Sequence, residues 1–503
     1  MKTKSPPHEK FLRISACFFF SGGARLIYQV AWVKALGLIF GHTVHAIASV
    51  LAVFMAGLAV GSAYLGNWGE QRAEPILLYT GIEFLVAASG VASLLGLAGV
   101  RLLYVTASPT VGALPPLLLA LRFFGAAIVL FIPTFLMGGT LPILVRGITR
   151  DPADLGKRVS QLYWVNTLGA VVGTLLSGFV LLPTLGLRAT VLCAAILNVL
   201  AGLLALRIAK GERFRRGVAP ALPQMASPST SPHHSAFSFL LFLFGVVGAT
   251  ALAYEIAWTR LLAITISSST YAFTLILATF LAGTVLGSAL FQRYFSKSRQ
   301  VSLTTFSRTQ TWIAIAALSS LILFHWIPAV IPPLLRLTNQ SFLGLVLAQF
   351  VTSALTVLPI AIIFGFNFPA VVVLLPGRAN TASGRSALVG RAYAANTIGV
   401  VAGSVLTGFW LVPWLGSFRV IAFAAGMNLL LAMELERRSR PVHKPALAMN
   451  LLFLLLAFVV GCSSLVYHQP LLSFSAVLYG NSYKGRLTLS EIARTLSSFK
   501  RRE

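Results

Sequence analysis

Apolar runs of about 20 residues follow one another along almost the whole chain, separated by short polar loops. A helix of that length crosses a ~30 Å hydrocarbon core, and no strand-like alternation competes with it. The pattern predicts six helices near 11–39, 43–66, 76–100, 117–141, 161–182 and 187–209. Six more follow near 236–266, 270–292, 308–327, 342–366, 391–412 and 417–435, with a last apolar run at 446–468. The polar segments between them define the rest. Residues 1–10 form a basic arm. The Pro/Ser-rich stretch 210–235 reads as a flexible linker, and 469–503 as a basic tail.

The pattern occurs twice. Tyr28–Ala63 and Tyr254–Ala289 align without a gap at an offset of 226 residues, placing Tyr28 on Tyr254, Trp32 on Trp258 and Phe54 on Phe280. Ile132–Pro142 resembles Leu358–Pro369 with one residue inserted. Tyr163–Gly186 matches Tyr393–Gly416 at an offset of 230. Hydrophobicity alone does not repeat aromatic and polar positions in register. The chain is therefore read as an all-α polytopic membrane protein: a first six-helix repeat (11–209), a second (236–435) and a final helix. An even number of helices per half makes the repeats parallel, as in transporters of the major facilitator type.

Composition agrees: 57% of the 503 residues are hydrophobic and 10% are charged. The net charge of +27 could suggest nucleic-acid binding, but the basic residues sit in short loops. Topology and anionic lipid account for them, so the bilayer is the expected partner and nucleic acid is not. With the N-terminus cytoplasmic, inside loops hold 25 Lys and Arg against 5 outside, the orientation expected in a cell membrane. Three scattered cysteines give neither a disulfide framework nor metal spacing, and His42 with His45 does not make a metal site. No nucleotide loop or catalytic motif occurs, so no cofactor is expected.

Candidate chemistry rests on the few polar residues in apolar runs. Glu255, with Gln29 as its counterpart, costs about 2.5–3.5 kcal/mol or more if ionised in the membrane. Two readings stand: an ion pair across the repeats with Lys34, the counterpart of Arg260, or a cation or proton site. Glu83 is the second membrane carboxylate, read as a helix-packing hydrogen bond or as a transport site that binds substrate, with Gln310 in the related place, and Arg25 either snorkels or meets Glu83. The i,i+4 pairs Tyr28/Trp32 and Tyr254/Trp258 read as packing or as the lining of an amine site. Asn166 and Asn396 are expected to bond across helices. Four small-residue pairs, Gly57/Gly61, Gly283/Gly287, Gly169/Gly173 and Gly399/Gly403, predict close helix contacts inside one subunit or between two.

YEIAWTR followed by LATFLAGTVLGSA resembles the membrane region of the membrane-fused spermidine-synthase-like proteins, in which a major-facilitator-like helical region precedes an aminopropyltransferase-type domain. The resemblance spans about residues 11–500. Gln29 and Lys34 depart from the Glu and Arg of the fuller second copy, Glu255 and Arg260. Residues 479–503 resemble the lead-in to the synthase-like domain, whose glycine-rich loop and acidic pocket do not follow. The resemblance implies a membrane module that transports or senses a small cation such as a polyamine. The alternatives are a non-transporting anchor for a synthase-like partner, or an enzyme whose catalytic domain lies elsewhere.

Overall fold

The computed structural model describes residues 7–41, 44–70, 74–112, 114–148, 155–216, 234–266, 270–295, 301–337, 341–374, 382–439 and 444–462. The expected arm at 1–6, most of the linker at 210–235 and the tail at 469–503 lie outside them. The first half contains α1 (Pro7–Phe40), α2 (Val44–Glu70), α3 (Pro75–Val111), α4 (Pro115–Ile148), α5 (Leu155–Leu176) and α6 (Leu182–Arg216). The second contains α7 (His234–Ile266), α8 (Thr270–Phe295), α9 (Leu303–Leu337), α10 (Phe342–Leu374), α11 (Ala382–Leu406) and α12 (Val412–Arg438). A last helix, α13 (Lys444–Cys462), packs on α12. Helices are the expected solution here, because a helix satisfies its own backbone hydrogen bonds where lipid cannot.

Nine described helical stretches are long and apolar enough to cross a membrane. Two of them, Gln161–Gly211 and Arg391–Arg438, each contain two helices joined across a kink. The expected gap between 182 and 187 is such a kink. A five-residue π-helical segment, Ser177–Leu181, leads into α6, and the helical path breaks at Gly186 with φ 75°. The second copy repeats this with the segment Thr407–Leu411 and Gly416 at φ 76°. Glycine suits that left-handed position because it has no Cβ to clash. Several helices outrun their apolar patterns. The pattern of the third ends near Arg101, yet α3 continues through Pro109 to Val111. Backbone bonding does not stop where apolar side chains do.

Both halves pack by one plan. In the first, α1 lies on α5 and α6, α4 lies on α2 and α3, and α3 meets α6. In the second, α7 lies on α11 and α12, α10 lies on α8 and α9, and α9 meets α12. The halves meet along two related seams, α2 with α11 and α5 with α8.

The repeated glycines sit at the closest backbone approaches. A Cβ on Gly57 or Gly61 would strike Thr134 or the Phe135 carbonyl of α4, and one on Gly283 or Gly287 would strike Ala361 or the Ile362 carbonyl of α10. Gly169 and Gly173 face the Phe19 and Gly23 carbonyls of α1. Gly399 and Gly403 face the Gly245 and Ala249 carbonyls of α7. All eight contacts lie inside a half. Lipid tails are as apolar as leucine, so association here relies on close van der Waals packing, which small residues permit.

Gly61→Leu and Gly287→Leu are each expected to cost at least about 1–3 kcal/mol, read as a lower melting temperature of the purified protein. Gly81, with nothing within 4 Å of an added Cβ, is the control. Gly81→Ala is expected to be neutral or to stabilise by up to ~1 kcal/mol.

Candidate functional site

The aromatic pairs are structural pins. Tyr28 and Trp32 stack at 4.9 Å between centroids, and Tyr254 and Trp258 at 5.1 Å, all four rings fully buried. The Trp32 indole N–H donates to Ser93 Oγ of α3 at 2.9 Å. The Trp258 indole N–H donates to Ser320 Oγ of α9 at 3.2 Å. These rings fasten the first helix of each half to the third. Their burial agrees with the packing reading.

Around each pin lies a polar node. In the second half, the Tyr254 hydroxyl donates to Asn428 Oδ1 at 3.0 Å, and Asn428 Nδ2 donates to Gln310 Oε1 at 2.9 Å. Gln310 Nε2 donates in turn to Asn367 Oδ1 at 3.2 Å, so four helices share one neutral network. In the first half, Asn198 Nδ2 donates to Glu83 Oε2 at 2.6 Å. Arg25 Nη2 donates to Thr140 Oγ1 at 3.2 Å. Arg25 faces Glu83 electrostatically, with Ser21 and Tyr79 in the carboxylate's immediate surroundings. The Tyr79 hydroxyl itself donates to the Cys17 carbonyl at 3.4 Å. Thus Arg25 is drawn inward rather than snorkelling. Asn198 and Asn428 escaped the sequence reading, although they recur at the same 230-residue offset as the Asn-Thr motif.

Glu255 stands apart. Its side chain is half-buried within α7 and, among the described residues, makes no ion pair and no hydrogen bond. The expected pair with Lys34 is therefore corrected. Arg260 is exposed and lies with Arg122 in the electrostatic surroundings of His45 on α2. Five residues along a helix turn Arg260 away from Glu255, and the repeat turns Lys34 by the same angle from Gln29. Gln29 is buried, with 4% of its surface exposed. Asn166 is also corrected in part: its Oδ1 is buried beside Gly22 without a hydrogen-bond partner. Asn396 takes the related place beside Gly248. No group of three or more metal-ligating side chains occurs among the described residues.

The seams carry matched aromatic contacts. His45 of α2 meets Phe409 edge-on at 6.0 Å, and Tyr271 of α8 meets Phe179 at 5.3 Å. His45 and Tyr271 are repeat counterparts, as are Phe179 and Phe409. Both phenylalanines sit on the π-helical segments, where an extra residue per turn re-aims side chains. Farther along, Tyr163 stacks on Phe368 at 4.9 Å, and Tyr393 meets the same ring at 6.3 Å.

Residues 141–333 match the BT1 family. A polyamine aminopropyltransferase of Corynebacterium efficiens is 30% identical over 185 residues, covering 35% of this chain and 32% of that protein. One from Mycobacterium tuberculosis is 26% identical over 188 residues, covering 35% and 32%. The chain thus matches about a third of the length of these curated relatives. Among solved structures, a point mutant of the nucleoside transporter NupG superposes with a TM-score of 0.52 at 13% identity, covering 85% of this chain and 99% of that one. That likeness is one of fold: this chain is a multi-pass membrane protein built as a helical bundle.

Double-mutant cycles separate the two arrangements. Glu255→Gln with Lys34→Met is expected to be additive in stability within about 0.3–0.5 kcal/mol, as for sites without contact. Gln310→Leu with Asn428→Leu is expected to deviate from additivity by about 0.5–3 kcal/mol, because each single change strands buried partners.

Proposed function

We propose that the chain is a membrane transport protein that moves a small organic cation between its two halves, with Glu255 attracting the cation. The observation that carries this reading is the half-buried Glu255 carboxylate on a membrane helix, without an ion pair or hydrogen bond among the described residues. A carboxylate at membrane depth normally faces the bundle interior or a water-filled cavity and needs a counter-charge, which a bound ammonium supplies. The transporter-like fold supports the same reading, since parallel halves of this kind work by rocking about a central site. The distant similarity to polyamine aminopropyltransferases makes a polyamine the first cation to test. Glu83 is engaged by Asn198 inside its own half, which assigns the cation to Glu255 in preference. The excess of basic residues in alternate loops supports a cytoplasmic N-terminus in the cell membrane.

A second reading is a membrane anchor for a synthase-like partner, favoured by the match to about a third of the aminopropyltransferases. An anchor can leave Glu255 dry, whereas a transporter must give it a water-accessible path.

Uptake of labelled spermidine and putrescine into proteoliposomes, wild type beside Glu255→Gln, tests the proposal. Uptake by the wild type is expected, with at least a tenfold loss in the folded variant, corresponding to about 1.4 kcal/mol. Absence of uptake of both amines by folded wild type removes the polyamine-transport reading and leaves the anchor ahead.

A further inference from the structure

The internal repeat provides a built-in control for the Glu83 node. Ser21, Arg25, Tyr79 and Glu83 have Val247, Ala251, Phe306 and Gln310 as their counterparts. The correspondence is structural as well as sequential, because the Trp32–Ser93 and Trp258–Ser320 bonds fix the same register of first helix on third. Burial matches too: Ser21 and Val247 are 4% and 2% exposed, and Tyr79, Phe306, Glu83 and Gln310 are 0% exposed. The second half therefore fills the same space with apolar side chains and an amide. Packing demands neither a carboxylate nor a guanidinium here.

The first half nevertheless carries both, and leaves them incompletely satisfied. Glu83 Oε2 is held by Asn198 of α6, while Oε1 is buried with no hydrogen-bond partner. Arg25 of α1 spends Nη2 on Thr140 of α4, and its Nε has no partner. An ionised carboxylate with one bare oxygen in such a site is costly, and a proton on that oxygen removes the charge. The groups that face it are few. Helix α1 brings Arg25, the Cys17 thiol and the Tyr28 phenol, and α3 brings Tyr79. The partners from α4 and α6, Thr140 and Asn198, do not titrate. Of these only Arg25 carries a fixed charge. The hydroxyls of Ser21 and Tyr79 can accept a hydrogen bond from a protonated carboxyl as readily as donate to an ionised one.

We infer that Glu83 is a proton-binding site: an O–H bond forms at Oε1, the carboxylate loses its charge, and Asn198 keeps its grip on Oε2. In the ionised state Arg25 exchanges Thr140 for the carboxylate. The ligand is a proton rather than a metal ion, because the neighbouring guanidinium opposes a second fixed cation. The site lies within one half and is separate from Glu255, so the inference does not depend on what is transported.

Infrared titration of the purified full chain in lipid nanodiscs, from about pH 5 to about pH 9 across the carboxylate and histidine ranges, tests it. The carbonyl stretch of a protonated carboxylic acid is expected to titrate in wild type and in Glu255→Gln. In Glu83→Gln, the change that copies Gln310, that contribution is expected to vanish. Identical titration spectra for wild type and Glu83→Gln overturn the inference. If Glu83→Gln alone fails to fold, Arg25→Ala/Glu83→Gln reproduces the neutral set of the second half and serves in its place. A purely structural ion pair is the contrary outcome: melting temperature falls with either single change, recovers in the double, and no titrating band separates them.

Discussion

Close backbone approach at small residues is the constraint on which the rest of this structure depends. Hydrocarbon gives helices no hydrophobic reason to associate, so contact area must come from proximity. At four helix pairs, α1–α5, α2–α4, α7–α11 and α8–α10, a glycine backbone lies directly against a neighbouring backbone or a short side chain. These contacts build each half as a unit. They also fix the distances at which the longer side chains of the third and sixth helices meet the first.

Within that frame the two halves solve one polar problem in two ways. Both pin the first helix to the third by an indole donating to a serine. Both then place an amide on the sixth helix against a Glu or Gln on the third. The second half closes its network with neutral groups, Tyr254, Asn428, Gln310 and Asn367. The first half replaces this with Glu83 and Arg25 and leaves a carboxylate oxygen bare. Duplication thus separates what packing requires from what has been added to it. The added part is a pair of charges in a place where charge is expensive.

The seams between halves add ring contacts to the close packing used within them. They combine the ring contacts of His45 with Phe409 and Tyr271 with Phe179, the close approach of Gly178 to Thr274, a buried patch of Leu26, Val30, Ala170 and Leu277, and the Ser404 hydroxyl donating to the Ala48 carbonyl at 3.1 Å.

The sequence by itself determined the membrane class, the doubled six-helix plan and some of the polar residues in the bundle, Glu83, Glu255, Gln310 and Arg25 among them. Run length and composition fix whether a helix can sit in lipid, and an ungapped repeat in register fixes which positions are equivalent. The close helix contacts at Gly57, Gly61, Gly283 and Gly287 were legible for the same reason, since spacing of four places small residues on one face. The partners of those polar residues were decided only by the tertiary structure. Whether Tyr28 and Trp32 face a cavity or a neighbouring helix depends on which helix lies beside them, and periodicity along one helix does not contain that. Glu255 and Lys34 belong to matching stretches of the repeat but form no ion pair with each other. Asn198, more than a hundred residues from Glu83, reaches it because α6 folds back on α3. Helix identity is a local property of side chains and solvent, whereas pairing across helices is set by the geometry of their packing.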